Sequence, residues 1–271
     1  MKTKPLYVLL TFIAIAPCLF GVEPTPPAAP APAAAPIYTL AFSDDFSTNP
    51  NRNGQWTVFR RQGDPNREGS WDPIEQVWYL TRQHPQDLAT AAFANYELTA
   101  RVWKVNFNYK VDNGPEGGDG FVFMFYKDKS AYGTPDSGSY KAFQTRNPDG
   151  SDYPVRGYGL QFDTYQVSFG GCDRLLENYV GIIQTVICRS LVEVPFGNID
   201  DATWHSVEFT FDRGQLACTI DGETVLSFFL SHRDYSFTGI GFGAGTGFQS
   251  NHRRFPDLGR RLTTRQSALT T

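Results

Sequence analysis

The chain has 271 residues, of which aromatic residues make up 15% and charged residues only 19%. With 25 Gly and 18 Pro, this composition is typical of a β-rich globular protein with many turns. The formal net charge of −4 is too small to indicate nucleic acid or an anionic membrane surface, so neither class of partner is expected.

The N-terminal segment has the pattern of a secretory signal peptide. A short basic start precedes an apolar run from Leu6 to Phe20, which at about 15 residues is shorter than the roughly 20 that a membrane span needs. We predict a signal peptide over residues 1–21 and a secreted or cell-surface protein with no membrane span in the mature chain. A signal anchor and a lipid anchor at Cys18 are the alternatives, although Pro17 is a poor fit to a lipidation site.

Composition then divides the rest of the chain. Residues 22–36 are mostly Pro and Ala and predict an extended linker that cannot build a core. The folded domain is predicted over residues 37–252, and a basic, disordered tail over residues 253–271, where five Arg and one Pro make a poor strand. Without a strand there, the first strand at 40–46 would have an unpaired edge.

Between these ends, short apolar or alternating runs are separated by turn residues, and no long amphipathic helix pattern is present. The run Gly120–Tyr126 is apolar on both faces, which predicts a central strand. Asp221-Gly222 predicts a hairpin turn. Residues 64–72 and the polar residues 127–156 are predicted loops, the second of them bordering a functional site. The predicted strands are Leu40–Phe46, Gln55–Arg60, Val77–Thr81, Thr90–Ala94, Tyr96–Val111, Gly120–Tyr126, Tyr158–Tyr165, Tyr179–Thr185, Ser206–Asp212, Leu216–Asp221, Glu223–Phe229 and Thr238–Ala244.

About a dozen short strands without helices predict an all-β fold, a two-sheet antiparallel jelly-roll sandwich in a single domain. One of these strands carries Gln161, Asp163 and Tyr165 on one face. The spacing is that of the Glu-x-Asp-x-x-Glu strand of retaining β-glucanases, but the outer positions are Gln161 and Gln166. Because an amide can act neither as nucleophile nor as proton donor, this strand predicts binding of a sugar rather than its hydrolysis.

Three segments, in chain order, resemble the motifs of L-type (legume-type) lectins. They are Gly118-Asp-Gly-Phe-Val-Phe-Met-Phe125, then Gly159-Leu-Gln-Phe-Asp-Thr-Tyr165 with Asn178-Tyr-Val-Gly-Ile182, and last Gly239-Ile-Gly-Phe-Gly-Ala-Gly-Thr-Gly247 with Asn251-His252. The resemblance covers roughly residues 40–252 and implies a concanavalin A-like fold. It also implies non-catalytic binding of a glycan or glycoprotein.

The resemblance implies a carbohydrate site in the loops. Asp119 would follow a cis peptide bond after Gly118 and accept hydrogen bonds from sugar hydroxyls. Tyr165 belongs to the same predicted site, as does the backbone of Gly247, Phe248 and Gln249. An aromatic ring should also pack on the sugar face, unless it is tucked into its own loop. The candidates are Tyr132, Tyr140, Phe169 and Phe248.

The resemblance further implies one calcium ion, bound by the carboxylates of Asp163 and Asp173 and the carbonyl of Tyr165. The family's Asn that contacts both calcium and sugar is Val167 here, which counts against this ion. The Glu and His of the neighbouring transition-metal site correspond to Gln161 and Tyr179, so no transition metal is expected. Alternatively, Asp163 is a strand residue satisfied by backbone amides or tyrosine hydroxyls.

Two other functions stay open. The substitutions at the metal positions also fit a structural or adhesion module that has lost sugar and metal, and a glycoside hydrolase could use carboxylates brought together by the fold. An exported chain with Cys172, Cys188 and Cys218 has room for one disulfide, but Cys218 could equally be a small buried core residue. The four His do not cluster and are expected to be surface or structural residues.

Overall fold

The regular elements of the computed structural model are all strands. It describes residues 38–82, 88–111, 119–130, 132–136, 141–144, 155–165, 178–185, 189–197, 199–231 and 236–246, and the backbone of 264–267. This confirms the predicted all-β fold class, with strand bounds shifted by up to six residues. The strands are β1 (Tyr38–Phe42), β2 (Trp56–Arg60), β3 (Glu68–Asp72), β4 (Val77–Thr81), β5 (Ala89–Ala94), β6 (Val102–Tyr109), β7 (Gly120–Asp128), β8 (Arg156–Asp163), β9 (Tyr179–Gln184), β10 (Arg189–Pro195), β11 (His205–Asp212), β12 (Gln215–Ile220), β13 (Glu223–Phe229), β14 (Gly239–Gly245) and β15 (Thr264–Ser267).

Two large antiparallel sheets form the predicted sandwich. The six-stranded sheet has the order β1-β15-β6-β11-β12-β13, and the seven-stranded sheet has the order β10-β9-β8-β7-β14-β5-β2. Strand β7 is therefore the middle strand of its sheet, as its apolar sequence predicts. The predicted hairpin between β12 and β13 is also confirmed, because Asp221 and Gly222 have the positive φ angles of 50° and 86° that such a turn requires.

The space between the sheets is filled by aromatic rings. Side chains alternate along β6, so that Trp103, Phe107 and their odd-numbered neighbours are buried and the residues between them are half-buried. Ring centroids lie 5.5 Å apart for Trp103 and Phe125, and 5.2 Å apart for Phe107 and Phe242.

Cys218 is a free thiol in this core, and burial raises its pKa. It is thus the buried core residue of the two alternatives; Cys172 and Cys188 lie outside the described residues.

The opposite face of the seven-stranded sheet is buried as well. Val122 and Met124 of β7 point there with Phe93 of β5. The residues that cover them belong to the segment predicted as a polar loop, namely Tyr132, Ala142, Phe143 and Val155. This group, termed the outer cluster, explains why β7 is apolar on both faces. The segment 127–156 is therefore partly a packing element.

Two strands missed by the sequence prediction have identifiable causes. Strand β3 occupies part of the predicted loop 64–72 and pairs with β4. It forms because the buried carboxylate of Glu68 accepts the backbone N–H groups of Gln62 (2.9 Å) and Ala89 (3.0 Å), which closes the turn before it. Strand β10 is the edge of its sheet, has a bulge and is mostly half-buried, so its sequence carries no clear alternation.

The C-terminal prediction is wrong at four residues. Thr264–Ser267, within the predicted disordered tail, forms strand β15 between β1 and β6. The side of β1 that would have been left unpaired therefore has a partner. The rest of 253–271 lies outside the described residues, as do the predicted signal peptide 1–21 and linker 22–36. No helix within the described ranges is long and apolar enough to cross a membrane.

His205, at the start of β11, is held between two carboxylates. Its Nδ1 lies 2.7 Å from Oδ2 of Asp221 and its Nε2 lies 3.1 Å from Oδ1 of Asp201. Burial by itself would raise the pKa of both carboxyls, but the hydrogen bonds from His205 and from the neighbouring backbone and hydroxyl groups outweigh it. The pKa values of Asp201 and Asp221 are therefore lowered. His205 is the one histidine within the described residues, and it has the structural role that the sequence leads us to expect.

This arrangement predicts a pH dependence of stability. Because the native state lowers the pKa of Asp201 and Asp221, their stabilising effect is complete above the ordinary carboxyl value of 3.8 and is lost as the pH falls through the lowered values. We expect His205→Ala to lose less stability than the wild type between pH 6 and pH 2, as measured by urea unfolding. Thr210→Ala on the same strand is the control, and equal losses in all proteins would contradict the assignment.

Candidate functional site

Four strand ends meet at one end of the seven-stranded sheet. The end of the sheet that these strand ends form is termed the loop edge. Asp163 ends β8 and pairs with Tyr179, which begins β9. Gly120 begins β7 and pairs with Gly245, which ends β14. The loops that leave this edge are those to which the sequence assigns the sugar and calcium residues.

Asp119 stands at this edge, directly before β7, and is only 3% exposed. Gly120 brings it close to β8: its φ is +96°, and a Cβ placed on it would lie 3.2 Å from the Cα of Asp163 and inside van der Waals contact with the carbonyl oxygen of Phe162. The structure therefore brings Asp119 and Asp163 to neighbouring strand ends. Gly118 and its peptide bond to Asp119 lie outside the described residues.

Asp163 is fully buried, and both of its oxygens are engaged. Oδ1 accepts the backbone N–H of Tyr165 at 3.0 Å. Oδ2 accepts a hydrogen bond from Nε2 of Gln161 at 3.1 Å and lies 2.7 Å from Nζ of Lys141. The side chains of Lys141 and Asp163 are both 0% exposed, so this is an ion pair in the protein interior.

Lys141 reaches Asp163 from across the outer face of the sheet. Its backbone crosses directly over Gly243 of β14, where a Cβ would collide with the carbonyl oxygen of Lys141. Lys141 and Ala142 both have positive φ angles, 44° and 61°. The hydroxyl of Tyr132 donates to the carbonyl of Ala142, whose N–H donates to the carbonyl of Asp136 at 3.1 Å. The lysine backbone is thus fixed by packing and hydrogen bonds.

Gln161 and Tyr179 complete the buried polar group. Nε2 of Gln161 donates to the hydroxyl of Tyr179 at 2.7 Å, and both side chains are fully buried. These are the two positions that correspond to the transition-metal Glu and His. Here they form a neutral hydrogen-bonded pair next to the Asp163–Lys141 ion pair. The four residues are termed the lysine network.

The lysine network does not fit a calcium site. Calcium takes six to eight oxygen ligands at about 2.3–2.6 Å, yet an ammonium group stands 2.7 Å from Oδ2 of Asp163. A divalent cation sharing that carboxylate would face a positive charge at contact distance. Asp163 is therefore corrected from a metal ligand to the partner of Lys141. Asp173 and Val167 lie outside the described residues, among which no three His, Cys, Asp or Glu side chains form a metal-ligand group.

The described aromatic candidate is also corrected. Tyr132 belongs to the outer cluster, where its ring lies 4.8 Å from that of Phe93 and 5.0 Å from that of Phe59, centroid to centroid. It packs on the sheet and presents no face to a sugar. The remaining candidates, Tyr140, Phe169 and Phe248, lie outside the described residues together with Gly247 and Gln249. Tyr165 is described, half-buried, and contacts Asp163 through its N–H.

Lys141 is the residue that the sequence prediction missed. It lies in Ser139-Tyr-Lys-Ala-Phe143, inside a segment rich in polar residues, and a lysine in such a context is normally solvated. An indirect signal was present: with Gln161 and Tyr179 uncharged, the carboxylate of Asp163 on the same buried face needed a positive partner. The apolar Ala142-Phe143 pair directly after it indicated a buried segment.

Solved structures with the same architecture include plant lectins. Lectin II from Ulex europaeus is 14% identical, with a TM-score of 0.62 over 84% of this chain and 98% of that chain. Basic winged bean lectin with Tn-antigen is 17% identical, with a TM-score of 0.60 over 83% of this chain and 96% of that chain. No family model and no curated protein matches the sequence.

The VIP36 exoplasmic/lumenal domain matches in two states. Its Ca2+/Man3GlcNAc-bound form is 16% identical over 80% of this chain and 88% of that chain, and the TM-score of 0.56 equals that of the metal-free form. Overall backbone likeness therefore does not distinguish a metal-bound from a metal-free site. What the similarities do establish is the fold: the chain has the concanavalin A-like fold of the L-type lectins, as its three motifs predict.

Proposed function

We propose that this protein is an exported, non-catalytic carbohydrate-binding protein that holds a glycan or glycoprotein at the loop edge. The observation that carries the proposal is the position of Asp119. Asp119 is only 3% exposed, directly precedes the central strand, and stands beside the end of β8 on a fold that carries sugar sites in other proteins. A buried carboxylate at a loop edge is a strong acceptor for paired hydroxyl groups.

The site would work by hydrogen bonding and shape. Asp119 accepts hydrogen bonds from sugar hydroxyls, and its negative charge makes each of them stronger than a hydrogen bond between neutral groups. Tyr165 and the residues Gly247, Phe248 and Gln249 frame the pocket in this proposal, and an aromatic ring from the loops packs on the sugar. No step of this binding passes through a metal ion, because Asp163 is engaged by Lys141.

The described carboxyl groups support binding rather than hydrolysis. Gln161 stands where a retaining glucanase has a carboxyl group, and its amide is bound to Asp163 and Tyr179. Glu68 is a buried carboxyl whose pKa is raised by burial, as a catalytic acid would require. Its oxygens, however, accept backbone N–H groups of Gln62 and Ala89, which gives Glu68 a structural role.

Asp119→Ala is the direct test of the proposed site. We expect it to weaken binding on a glycan array by tenfold or more, since losing hydrogen bonds to one charged acceptor costs about 1.5–3 kcal/mol. Asp128→Ala is the matched control, because Asp128 lies at the opposite end of the same strand and is exposed. Undiminished binding by folded Asp119→Ala protein would contradict the site.

A structural or adhesion module is the second candidate, favoured by one observation. Gln161 and Tyr179 form a closed buried pair at positions that bind a metal in the family that the motifs resemble. Wild-type protein that is folded, yet binds no glycan on the array, would favour this module over the lectin.

Export is tested separately by fusing residues 1–36 to a reporter and measuring the secretion of that reporter.

A further inference from the structure

We propose that the ammonium group of Lys141 is a built-in cation, which replaces a calcium ion in ordering the loop edge of this domain. Its nitrogen Nζ lies 2.7 Å from Oδ2 of Asp163, inside a fully buried polar network. The inference concerns how the loop edge is held together and does not depend on sugar binding.

The first argument is charge balance on the buried face of β8. Calcium sites combine several carboxylates around two positive charges. Along this face Gln161 is a neutral amide and Tyr179, its partner on β9, is a phenol, so Asp163 supplies a single negative charge. One ammonium group balances one carboxylate, and both are excluded from solvent. Within the lysine network, one carboxylate and one monovalent cation therefore match in charge.

The second argument is that packing and hydrogen bonds fix the backbone position of the lysine. Its backbone lies against Gly243, which leaves no room for a Cβ below it. Asp136, which accepts the N–H of Ala142, is itself paired with Arg61, Nη1 to Oδ1, at 2.6 Å. Hydrogen bonds of Tyr132 and Ala142 therefore fix the turn, and the ammonium group is presented to Asp163 by a constrained segment.

The third argument is that the pair is linked to the residues that directly follow β8. Asp163 uses Oδ2 for Lys141 and Oδ1 for the N–H of Tyr165, so the same carboxylate joins the cation to the start of the loop after β8. In a calcium site the ion performs this linkage. Lys141 is accordingly a positioning residue: it acts on the loop edge through Asp163.

The test measures metal and stability on the wild-type protein. We expect no calcium or manganese to remain after dialysis against each ion and gel filtration, as measured by mass spectrometry of the metals. The midpoint of thermal unfolding should be the same in chelator and in excess calcium. A bound ion at a hundredfold excess over its Kd would raise that midpoint by roughly 5–10 °C, so a rise of this size, or stoichiometric calcium, would overturn the inference.

Lys141→Ser supplies the complementary arm. It removes the ammonium group and leaves the carboxylate of Asp163 in place, so calcium should raise the unfolding midpoint of this variant and not of the wild type. A folded variant whose unfolding midpoint does not change with calcium would show that Lys141 does not replace the ion. If the variant does not fold, the wild-type measurements decide alone. Neither readout uses a glycan, so failure of the proposed sugar binding leaves this experiment intact.

Discussion

Lys141→Met is expected to lower the free energy of unfolding by about 3–5 kcal/mol, the typical cost of removing one partner of a buried ion pair. Methionine keeps most of the apolar stem and removes only the charge. The carboxylate of Asp163 then remains fully buried with hydrogen bonds from Gln161 and Tyr165 but no counter-charge. Urea unfolding at pH 7, followed by circular dichroism, measures this loss.

Lys104→Met is a matched control. The Lys104–Glu208 pair has the same 2.7 Å separation as the Lys141–Asp163 pair, but its side chains are 20% and 44% exposed. Exposed pairs contribute only about 0–1 kcal/mol, so burial is the variable that differs between the two lysines. Equal losses in Lys141→Met and Lys104→Met would contradict the buried ion pair.

The double variant Lys141→Met/Asp163→Asn separates charge from packing. Replacing both charged groups removes the uncompensated carboxylate, so the double variant should be more stable than the sum of the two single losses predicts. Strict additivity would mean that the two residues act independently. Because neutral replacements of a buried pair are often tolerated, the double variant should also fold.

The fold could be predicted because local patterns decide it. Alternation in β6, an apolar run in β7 and the Asp221-Gly222 turn are short-range signals, and each agrees with the final sandwich. Strand β15 has no such signal, because its four residues are all polar or charged. They form a strand only because β1 and β6 flank them. Pairing of this kind is set by tertiary contacts.

The placement of the candidate site residues is predictable only at strand ends. Asp163 ends β8 and Asp119 directly precedes β7, so the register of these two strands brings the two residues together. Lys141 is separated from Asp163 by a segment without periodicity, and its burial follows from the packing of Ala142 and Phe143 on the outer face of the sheet. No local pattern reports such a long-range electrostatic contact, so the cation of the site was assigned to calcium by resemblance.

Gly120→Ala is expected to cost about 2–5 kcal/mol of stability and to disturb the loop edge. A left-handed backbone conformation costs an alanine about 1–2 kcal/mol, and overpacking against a fixed neighbour adds about 1–3 kcal/mol. At Gly120 both terms apply, because φ is +96° and the added Cβ meets the backbone of Phe162. The strand end must then move away from β8 and carry Asp119 with it.

Gly222→Ala separates the two terms. Gly222 has a similar φ of +86°, but nothing lies within 4 Å of a Cβ placed there, so only the conformational cost of about 1–2 kcal/mol applies. Urea unfolding should therefore rank Gly120→Ala well below Gly222→Ala. On a glycan array at a temperature where both variants are folded, Gly222→Ala should bind as the wild type and Gly120→Ala should not. If the two variants behave alike, close contact between β7 and β8 is not what positions Asp119.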